Sequence, residues 1–120
     1  MRGEGRLTKL EQYALVYREG SSWVSGQLVM KALPNGLVLS RYGISVSKRV
    51  GKAVVRNRVK RLLREALRLA PVRAGWDVIF IARPVAATAS YNSLEKSVSD
   101  LLSRAGLLAG ENERACLKTD

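Results

Sequence analysis

Hydrophobic and polar positions follow two different periods along the chain, and the first period to appear is helical. From Thr8 to about Glu19, one helix face collects four apolar or aromatic positions, which are Leu10, Tyr13, Ala14 and Tyr17. Thr8 and Glu11 have the spacing of a capping box, and Gly20 stands where helices commonly end. The pattern predicts an amphipathic helix that carries two tyrosines one turn apart.

The next two stretches have the period of two that is typical of strands. In the first, from Trp23 to Leu33, the apolar parity holds Val24, Leu28, Met30 and Ala32. In the second, from Leu37 to Ser47, it holds Val38, Tyr42, Ile44 and Val46. Turn-forming residues, Pro34, Asn35 and Gly36, separate the two stretches. The sequence thus predicts a hairpin with one solvent-exposed face, which carries Ser25, Gln27, Lys31, Arg41, Ser45 and Ser47.

A second helix is predicted from Val55 to Ala70, where Pro71 ends it. Its apolar arc consists of Val55, Val59, Leu62, Leu63, Ala66, Leu69 and Ala70. The opposite arc holds Arg56, Asn57, Lys60, Arg61, Arg64 and Arg68, with Arg58 at its far edge. One helix therefore has an apolar side and a basic side.

The last two elements are a buried strand and a helix. Trp76 to Ala82 is apolar at nearly every position, as in a strand covered on both faces, and Arg83-Pro84 ends it. The final helix repeats apolar residues at Leu94, Val98, Leu101, Leu102 and Ala105, before Gly106. The predicted order is α, β, β, α, β, α, with one extra short strand if the Gly43 region divides the second stretch.

Length and charge add the next constraint. The 120 residues match one domain, which we place at 1–109, followed by a flexible tail at 110–120. Lys and Arg number 21 against 10 Asp and Glu, a net charge of +11. Residues 48–68 contain nine basic residues and one acidic residue, a net charge of +8, which leaves only +3 on the remaining 99. Such a focused positive charge is typical of proteins that bind nucleic acid.

The basic segment has the chemistry of a phosphate-binding surface. Gly51-Lys52 is not a P-loop, because that motif needs glycine and a hydroxyl residue where this chain has Val46 and Ala53. A basic loop that leads into the amino end of a cationic helix can still bring backbone N–H groups and guanidinium groups to phosphate oxygens. The alternative is a merely solvated helix face, but such faces normally mix signs. For Arg58, an internal ion pair with Asp77 or another acid is a second interpretation.

Tyr13 and Tyr17 also allow two interpretations. They can pack on a sheet, or they can offer an aromatic surface to an unpaired base. Together with the strand residues Lys31, Arg41 and Ser45, they would form a cleft for a single strand.

Missing residue types narrow the possible functions. The chain has no His, which excludes His-dependent nucleophilic catalysis and imidazole metal sites. Its single cysteine, Cys116, indicates a reducing compartment. The first residues, MRGEGRLTKLEQ, lack the apolar core of a signal peptide, and no apolar stretch approaches membrane-spanning length. We therefore expect a soluble cytoplasmic protein with no membrane partner.

The basic segment also carries a resemblance. GISVSKRVGKAVVRNRVKRLLREAL, with its Arg56-Asn57-Arg58 core, resembles the signature of the bacterial ribonuclease P protein subunit. RLTKLEQYALVYREG resembles the first helix of that family, and WDVIFIARPVA resembles the strand after its basic helix. The resemblance implies an α/β sandwich like the second domain of ribosomal protein S5. It has a mixed sheet, helices packed on the sheet, and a basic helix in a left-handed β-α-β crossover, contrary to the usual hand.

The resemblance also implies a function. In this family a ribonucleoprotein removes the 5′ leader of precursor tRNA. Its RNA subunit performs the hydrolysis with Mg²⁺, which is bound mainly by the RNA and the substrate. The resemblance therefore implies a protein that is monomeric within the ribonucleoprotein and has no catalytic or metal-binding residues of its own. The positions that match RNA-subunit contacts are Lys48, Arg49, Lys52, Arg56, Asn57, Arg58, Lys60, Arg61 and Arg64, and the basic arc adds Arg68. The leader positions would be Tyr13, Tyr17, Lys31, Arg41 and Ser45. Lys31 and Gly26 depart from the family, where aromatic and Arg side chains are common.

Two other functions are compatible with the sequence. A ribosomal or other structural RNA-binding protein would need the same charge. A nuclease that acts alone would need a metal site, for which the available acids are Glu65, Asp77, Glu95 and Asp100. Their spacing suggests no metal cage.

Overall fold

Three helices and one five-stranded sheet make up the computed structural model, which describes residues 5–108. The strands are β1 (Gly5–Arg6), β2 (Ser21–Ser25), β3 (Leu28–Pro34), β4 (Arg41–Val46) and β5 (Trp76–Ala82). The helices are α1 (Leu10–Glu19), α2 (Ala53–Arg68) and α3 (Tyr91–Arg104), and two short 3-10 helices span Lys48–Val50 and Pro84–Thr88. The predicted tail at 110–120, with Cys116, lies outside the described residues. No helix in the described range is long and apolar enough to span a membrane.

The sheet is mixed, and its central strand is β5. The strand order is β1-β4-β5-β3-β2, in which β5 pairs in parallel with β4 and antiparallel with β3. Helix α2 forms the crossover between the parallel strands β4 and β5. Val78, Ile79 and Phe80 are all fully buried, which confirms the prediction of a strand covered on both faces.

The first predicted strand is in fact two strands. Trp23 to Leu33 divides at Gly26, which has a φ of 50°, and the chain reverses so that Ser25 pairs with Leu28. Because Trp23 lies opposite Met30, the buried parity changes across this turn. Val24 therefore shares a face with Val29 and is half exposed, contrary to the prediction. The second stretch is not divided near Gly43, since β4 runs through it, and the extra strand that such a division would have produced there is not formed.

The predicted hairpin between the two strand stretches is wrong as well. Strands β3 and β4 are not neighbours, because β5 lies between them and pairs with both. Phe80, for example, is opposite Met30 on one side and Ile44 on the other. A pairing with a strand more than thirty residues away is a long-range contact that local turn residues such as Pro34 cannot indicate.

Side chains alternate between two packed layers. Leu28, Met30, Val78 and Phe80 point to the face that carries α2 and α3, where the larger core lies. Ile79 points to the other face and packs with Val16 of α1 and with Leu7. Helices thus cover both faces of a mixed sheet, which confirms the predicted fold class.

Helix boundaries differ from the prediction by a few residues. Helix α1 begins after Lys9, and the Gln12 side chain, not Glu11, accepts the backbone N–H groups of Thr8 and Lys9 at 3.1 Å each. Its buried residue is Val16, whereas Leu10 is 85% exposed. Helix α2 buries Leu67 in place of Leu69, which is 61% exposed because the helix ends at Arg68. Helix α3 ends as predicted, with Gly106 at a φ of 73°.

An ion pair joins β4 to β5 on the α1 face. Arg41 donates from Nε and Nη2 to the two carboxylate oxygens of Asp77, at 2.8 and 2.7 Å. Asn35 adds a third hydrogen bond, from Nδ2 to Oδ1 of Asp77 at 2.8 Å. This hydrogen-bonded pairing raises the pKa of Arg41 above its ordinary value. Asp77, only 4% exposed, therefore pairs with Arg41, and the alternative pair between Arg58 and Asp77 is not formed.

Removing the carboxylate should destabilise the fold. We expect Asp77→Ala to lower the free energy of unfolding by about 3 kcal/mol, because Arg41 and Asn35 would lose their acceptor in a largely buried site. Asp100→Ala, which breaks the exposed pair with Arg104, should cost less than about 1 kcal/mol. Urea unfolding of both variants measures the difference. If both variants lost the same free energy of unfolding, the hydrogen bonds to Asp77 would not contribute more to stability than an exposed ion pair.

Candidate RNA interface

The candidate interface begins with the loop between β4 and α2, residues 47–52, which we call the cationic loop. Ser47 caps its 3-10 turn by accepting the backbone N–H of Arg49 at 3.3 Å. Gly51 has a φ of 152°, and a Cβ there would lie 3.2 Å from the Val55 side chain. The position thus favours glycine on both counts. Lys48, Arg49 and Lys52 are exposed on this loop.

Helix α2 continues the basic surface. Its inward side buries Val59, Leu63, Ala66 and Leu67. Asn57, Arg61, Arg64 and Arg68 are exposed on the outer side, and Arg56, Arg58 and Lys60 are half-buried at its margins. Lys52, at the N-cap, makes no side-chain cap hydrogen bond, and the first turn contains no acid. The positive side chain of Lys52 thus lies at the amino end of the helix, where the helix dipole also favours an anion.

Most of these cations lack an acidic partner. Within residues 5–108, no acidic side chain forms a salt bridge with any of seven cations, which are Lys48, Arg49, Lys52, Arg56, Lys60, Arg61 and Arg64. We call these seven residues the cationic patch. Arg68 is different, because its guanidinium contacts the Glu65 carboxylate at 2.5 Å. The end of α2 after Arg64 is therefore internally neutralised, and the unpaired charge of this surface lies on the cationic loop and on the part of α2 up to Arg64.

Two arginines of α2 bind backbone carbonyls. Arg56 donates from Nε to the Gly51 carbonyl at 3.2 Å. Arg58 donates from Nη1 to Ala87 and from Nη2 to Ala89, at 3.3 and 2.8 Å. Both side chains thus fasten α2 to neighbouring segments. These acceptors were not predictable from the sequence, because the 3-10 helix Pro84–Thr88 has no hydrophobic period of its own.

The tyrosines lie on the opposite face of the sheet. Tyr13 covers Gly43, where a Cβ would come within 2.4 Å of the phenolic oxygen, and it donates to the Leu7 carbonyl at 3.3 Å. Burial, and secondarily the neighbouring Tyr17, raises the pKa of Tyr13. Tyr17 is one turn further along and 41% exposed. Tyr13 is therefore a packing residue with an accessible edge, and Tyr17 offers the more open ring.

Lys31 and Ser45 share this face with the tyrosines. Lys31 lies on β3 in the same cross-strand row as Ile79 and Gly43, and Ser45 lies one row further along β4. The Lys31 ammonium donates to the Ser22 hydroxyl at 2.7 Å and has no acidic partner within the described residues. Ser22 was not predicted, because its register opposite Lys31 depends on the turn at Gly26.

Arg41 is on the same face but beside the other flank of α1. It lines a shallow depression with Asp77, Gln12 and Leu15, and the helical period places Gln12 and Leu15 away from Tyr13 and Tyr17. The structure thus brings the tyrosines, Lys31 and Ser45 to one region and leaves Arg41, neutralised by Asp77, outside it.

The four acids considered for a metal site are dispersed. Asp77 pairs with Arg41, Glu65 with Arg68, and Asp100 with Arg104, and Glu95 accepts the Tyr91 hydroxyl. Residues 5–108 contain no group of three or more His, Cys, Asp or Glu that could hold a metal ion. The donor set in this part of the chain does not fit a resident metal centre.

Taken together, the fold and the charge distribution indicate an RNA-binding α/β sandwich. The cationic patch lies on one side of the sheet, and the other side carries a surface that we call the aromatic surface, formed by Tyr13, Tyr17, Lys31 and Ser45. Comparison with known proteins gives the same class. The family model described as Ribonuclease P matches residues 1–106. The chain belongs to the bacterial ribonuclease P protein family.

Individual relatives support this membership over the full chain. The "Ribonuclease P protein component" of Dehalococcoides mccartyi (strain CBDB1) is 47% identical over 120 residues, which is 100% of both chains. That of Roseiflexus castenholzii is 46% identical and covers 88% of each. Among solved structures, the Staphylococcus aureus RNase P protein has a TM-score of 0.79 at 31% identity, covering 86% of this chain and 96% of that one. The Thermotoga maritima protein has a TM-score of 0.76 at 29% identity, with coverages of 84% and 97%.

The cationic patch should also make folding sensitive to anions. Because seven like charges repel one another, we expect millimolar sulfate to raise Tm by about 5 °C over chloride at equal ionic strength. A variant with Lys60, Arg61 and Arg64 all replaced by Ala should respond much less. Thermal unfolding monitored by circular dichroism measures both. An identical response of the two proteins would contradict binding at the patch.

Proposed function

We propose that the cationic patch docks on the phosphate backbone of the catalytic RNA of ribonuclease P, and that the protein thereby assists removal of the 5′ leader from precursor tRNA. The observation that carries this proposal is the single sign of the patch, whose seven cations lack acidic partners among the described residues. Phosphate groups would supply the negative charge that the acidic side chains of the described residues do not provide. Each contact would release condensed counterions, so affinity would fall as salt rises.

The aromatic surface is proposed to hold the leader. The open ring of Tyr17 would stack on an unpaired base, since stacking on an aromatic side chain tolerates any sequence. The unpaired ammonium of Lys31, held by Ser22, would contact a leader phosphate, and the Ser45 hydroxyl would donate a hydrogen bond. Arg41 is not part of the proposed leader contact, because its Nε and Nη2 already donate hydrogen bonds to the Asp77 carboxylate.

Hydrolysis is assigned to the RNA subunit. Mg²⁺, held mainly by the RNA and the substrate, would activate the attacking water and stabilise the leaving oxygen. The protein contributes affinity and leader positioning, in keeping with a described donor set that fits no metal site. We further place it in the cytoplasm, as a monomer within the ribonucleoprotein.

A three-part cleavage assay tests the proposal. Precursor tRNA and Mg²⁺ are incubated with protein alone, RNA subunit alone, and both, at near-physiological salt. We expect the mixture to release the 5′ leader faster than the RNA alone, with no release by the protein alone. Cleavage by the protein alone would support a nuclease that acts by itself. Binding to the RNA without faster cleavage would support a purely structural RNA-binding protein.

Lys60→Ala should weaken binding to the RNA subunit several-fold. Because one phosphate contact is lost, the slope of log affinity against log salt should flatten by about 0.7 to 0.9. Lys96→Ala, on α3 outside the patch, is the matched control and should leave the slope unchanged. Filter-binding titrations over a salt series measure both. The same slope in both variants would contradict a phosphate contact at Lys60.

Tyr17→Ala should weaken precursor tRNA binding to the holoenzyme by at least about fivefold, the lower end expected for one lost stacking contact. Mature tRNA, which has no leader, should bind as before. Tyr91→Ala removes a tyrosine from α3 on the other face of the sheet and should change neither affinity. If Tyr17→Ala weakened binding of both tRNAs equally, the leader role of the aromatic surface would be excluded.

A further inference from the structure

Arg58 differs from the other cations of α2 in where its guanidinium points. Both terminal nitrogens bind carbonyl oxygens, those of Ala87 and Ala89, at the end of the 3-10 helix Pro84–Thr88. The side chain is half-buried, and no acid of the described residues neutralises it. Ser90, the next residue, caps α3. Arg58 therefore joins α2 to the junction that leads into α3.

The segment held by Arg58 supports the cationic loop. The 3-10 helix Pro84–Thr88 packs against the 3-10 turn Lys48–Val50 of that loop and against α2. Both are anchored in the core, since Ala86 is fully buried and Val50 is 5% exposed. From its other side, the loop is held by Arg56, which donates to the Gly51 carbonyl. The two arginines of the Arg-Asn-Arg triplet thus bracket the loop that displays Lys48, Arg49 and Lys52.

We propose that Arg58 serves RNA binding as a positioning residue, which holds the cationic loop in place through the 3-10 helix Pro84–Thr88 and does not itself contact a phosphate. This inference rests on the proposed function and assigns a role within it. The two carbonyl bonds occupy the terminal nitrogens that a bidentate phosphate contact would need. Losing them would release the loop cations, so the loss in affinity would exceed that of a single contact.

The chemistry of the contact distinguishes arginine from lysine. A guanidinium presents two nitrogens in a fixed plane and can reach both Ala87 and Ala89, whereas one ammonium cannot hold the same planar arrangement. A phosphate contact made through a single hydrogen bond on an exposed helix face tolerates Lys, because Lys binds phosphate as a point charge. A substitution that conserves charge therefore separates the two roles.

The test compares Arg58→Lys with Arg18→Lys, an exposed arginine of α1 outside the cationic patch, in titrations of the RNA subunit over a salt series. Arg18→Lys also conserves the charge and should stay within about twofold of the unmodified protein, with the same salt slope. Arg58→Lys should bind the RNA subunit about tenfold more weakly, although the net charge is unchanged. Its salt slope should flatten by more than about 0.9, which is the contribution of one phosphate contact. A merely stabilising residue would lower Tm and leave that slope as it was.

Two further measurements keep the proposal testable if Arg58→Lys is poorly folded. In free Arg58→Lys, hydrogen exchange should be faster at the Val50 and Gly51 amides, which bond within the loop, than it is in free Arg18→Lys. In a double-mutant cycle, Arg49→Ala should cost less in the Arg58→Lys background than alone. Full binding by Arg58→Lys, an unchanged slope, or an additive cycle would overturn the positioning role. If Lys60→Ala also had no effect, the proposed function itself would fail.

Discussion

The structure depends on one helix that must be core on one side and a dense array of like charges on the other. The inward side of α2 buries Val59, Leu63, Ala66 and Leu67, and each such side chain contributes about 1.5 to 3 kcal/mol except the smaller alanine. Repulsion between exposed cations in water is about 1 kcal/mol per close pair. Burial therefore holds the helix in place while its charge stays uncompensated. The surplus charge is available to a polyanion because the fold does not neutralise it.

The sheet separates two kinds of contact. Its α2 face carries the cationic patch, which suits a double-stranded or compact RNA because phosphate contacts require no base recognition. Its α1 face carries Tyr17 and Lys31, which suit an extended single strand. The central strand β5 contributes Phe80 to one core layer and Ile79 to the other, so the elements that carry the two surfaces pack on the same strand. Under the proposed function, a single small domain would thereby hold an RNA partner and a substrate segment at once.

Local patterns in the sequence predicted the elements better than their arrangement. The period of α2, the continuous apolar run of β5 and the end of α3 at Gly106 are properties of short segments, and all three are confirmed. The insertion of β5 between β3 and β4 is a long-range pairing, and the strand break at Gly26 interrupts an alternation that looked continuous. The long-range pairing has no local signal, and the local sign of the break is the Ser25-Gly26 dipeptide, which is typical of turns.

The site divides in the same way. The basic arc and the two tyrosines were visible as residue types, but their partners were not. Arg41 looked like a free cation until β4 and β5 placed it opposite Asp77, and Arg68 is compensated by Glu65 within its own helix. Arg58 reaches carbonyls some thirty residues away. Which cations remain unpaired is a property of the tertiary structure, and it decides which of them are available to RNA.

The most direct test of the central claim is lysine footprinting on the assembled ribonucleoprotein, in which acetylation of each lysine is measured by mass spectrometry with and without the RNA subunit. We predict strong protection of Lys48, Lys52 and Lys60, which are in the cationic patch, and little change at Lys9 and Lys96, which are outside it. Protection of Lys9 and Lys96 with no protection of the patch would contradict the account.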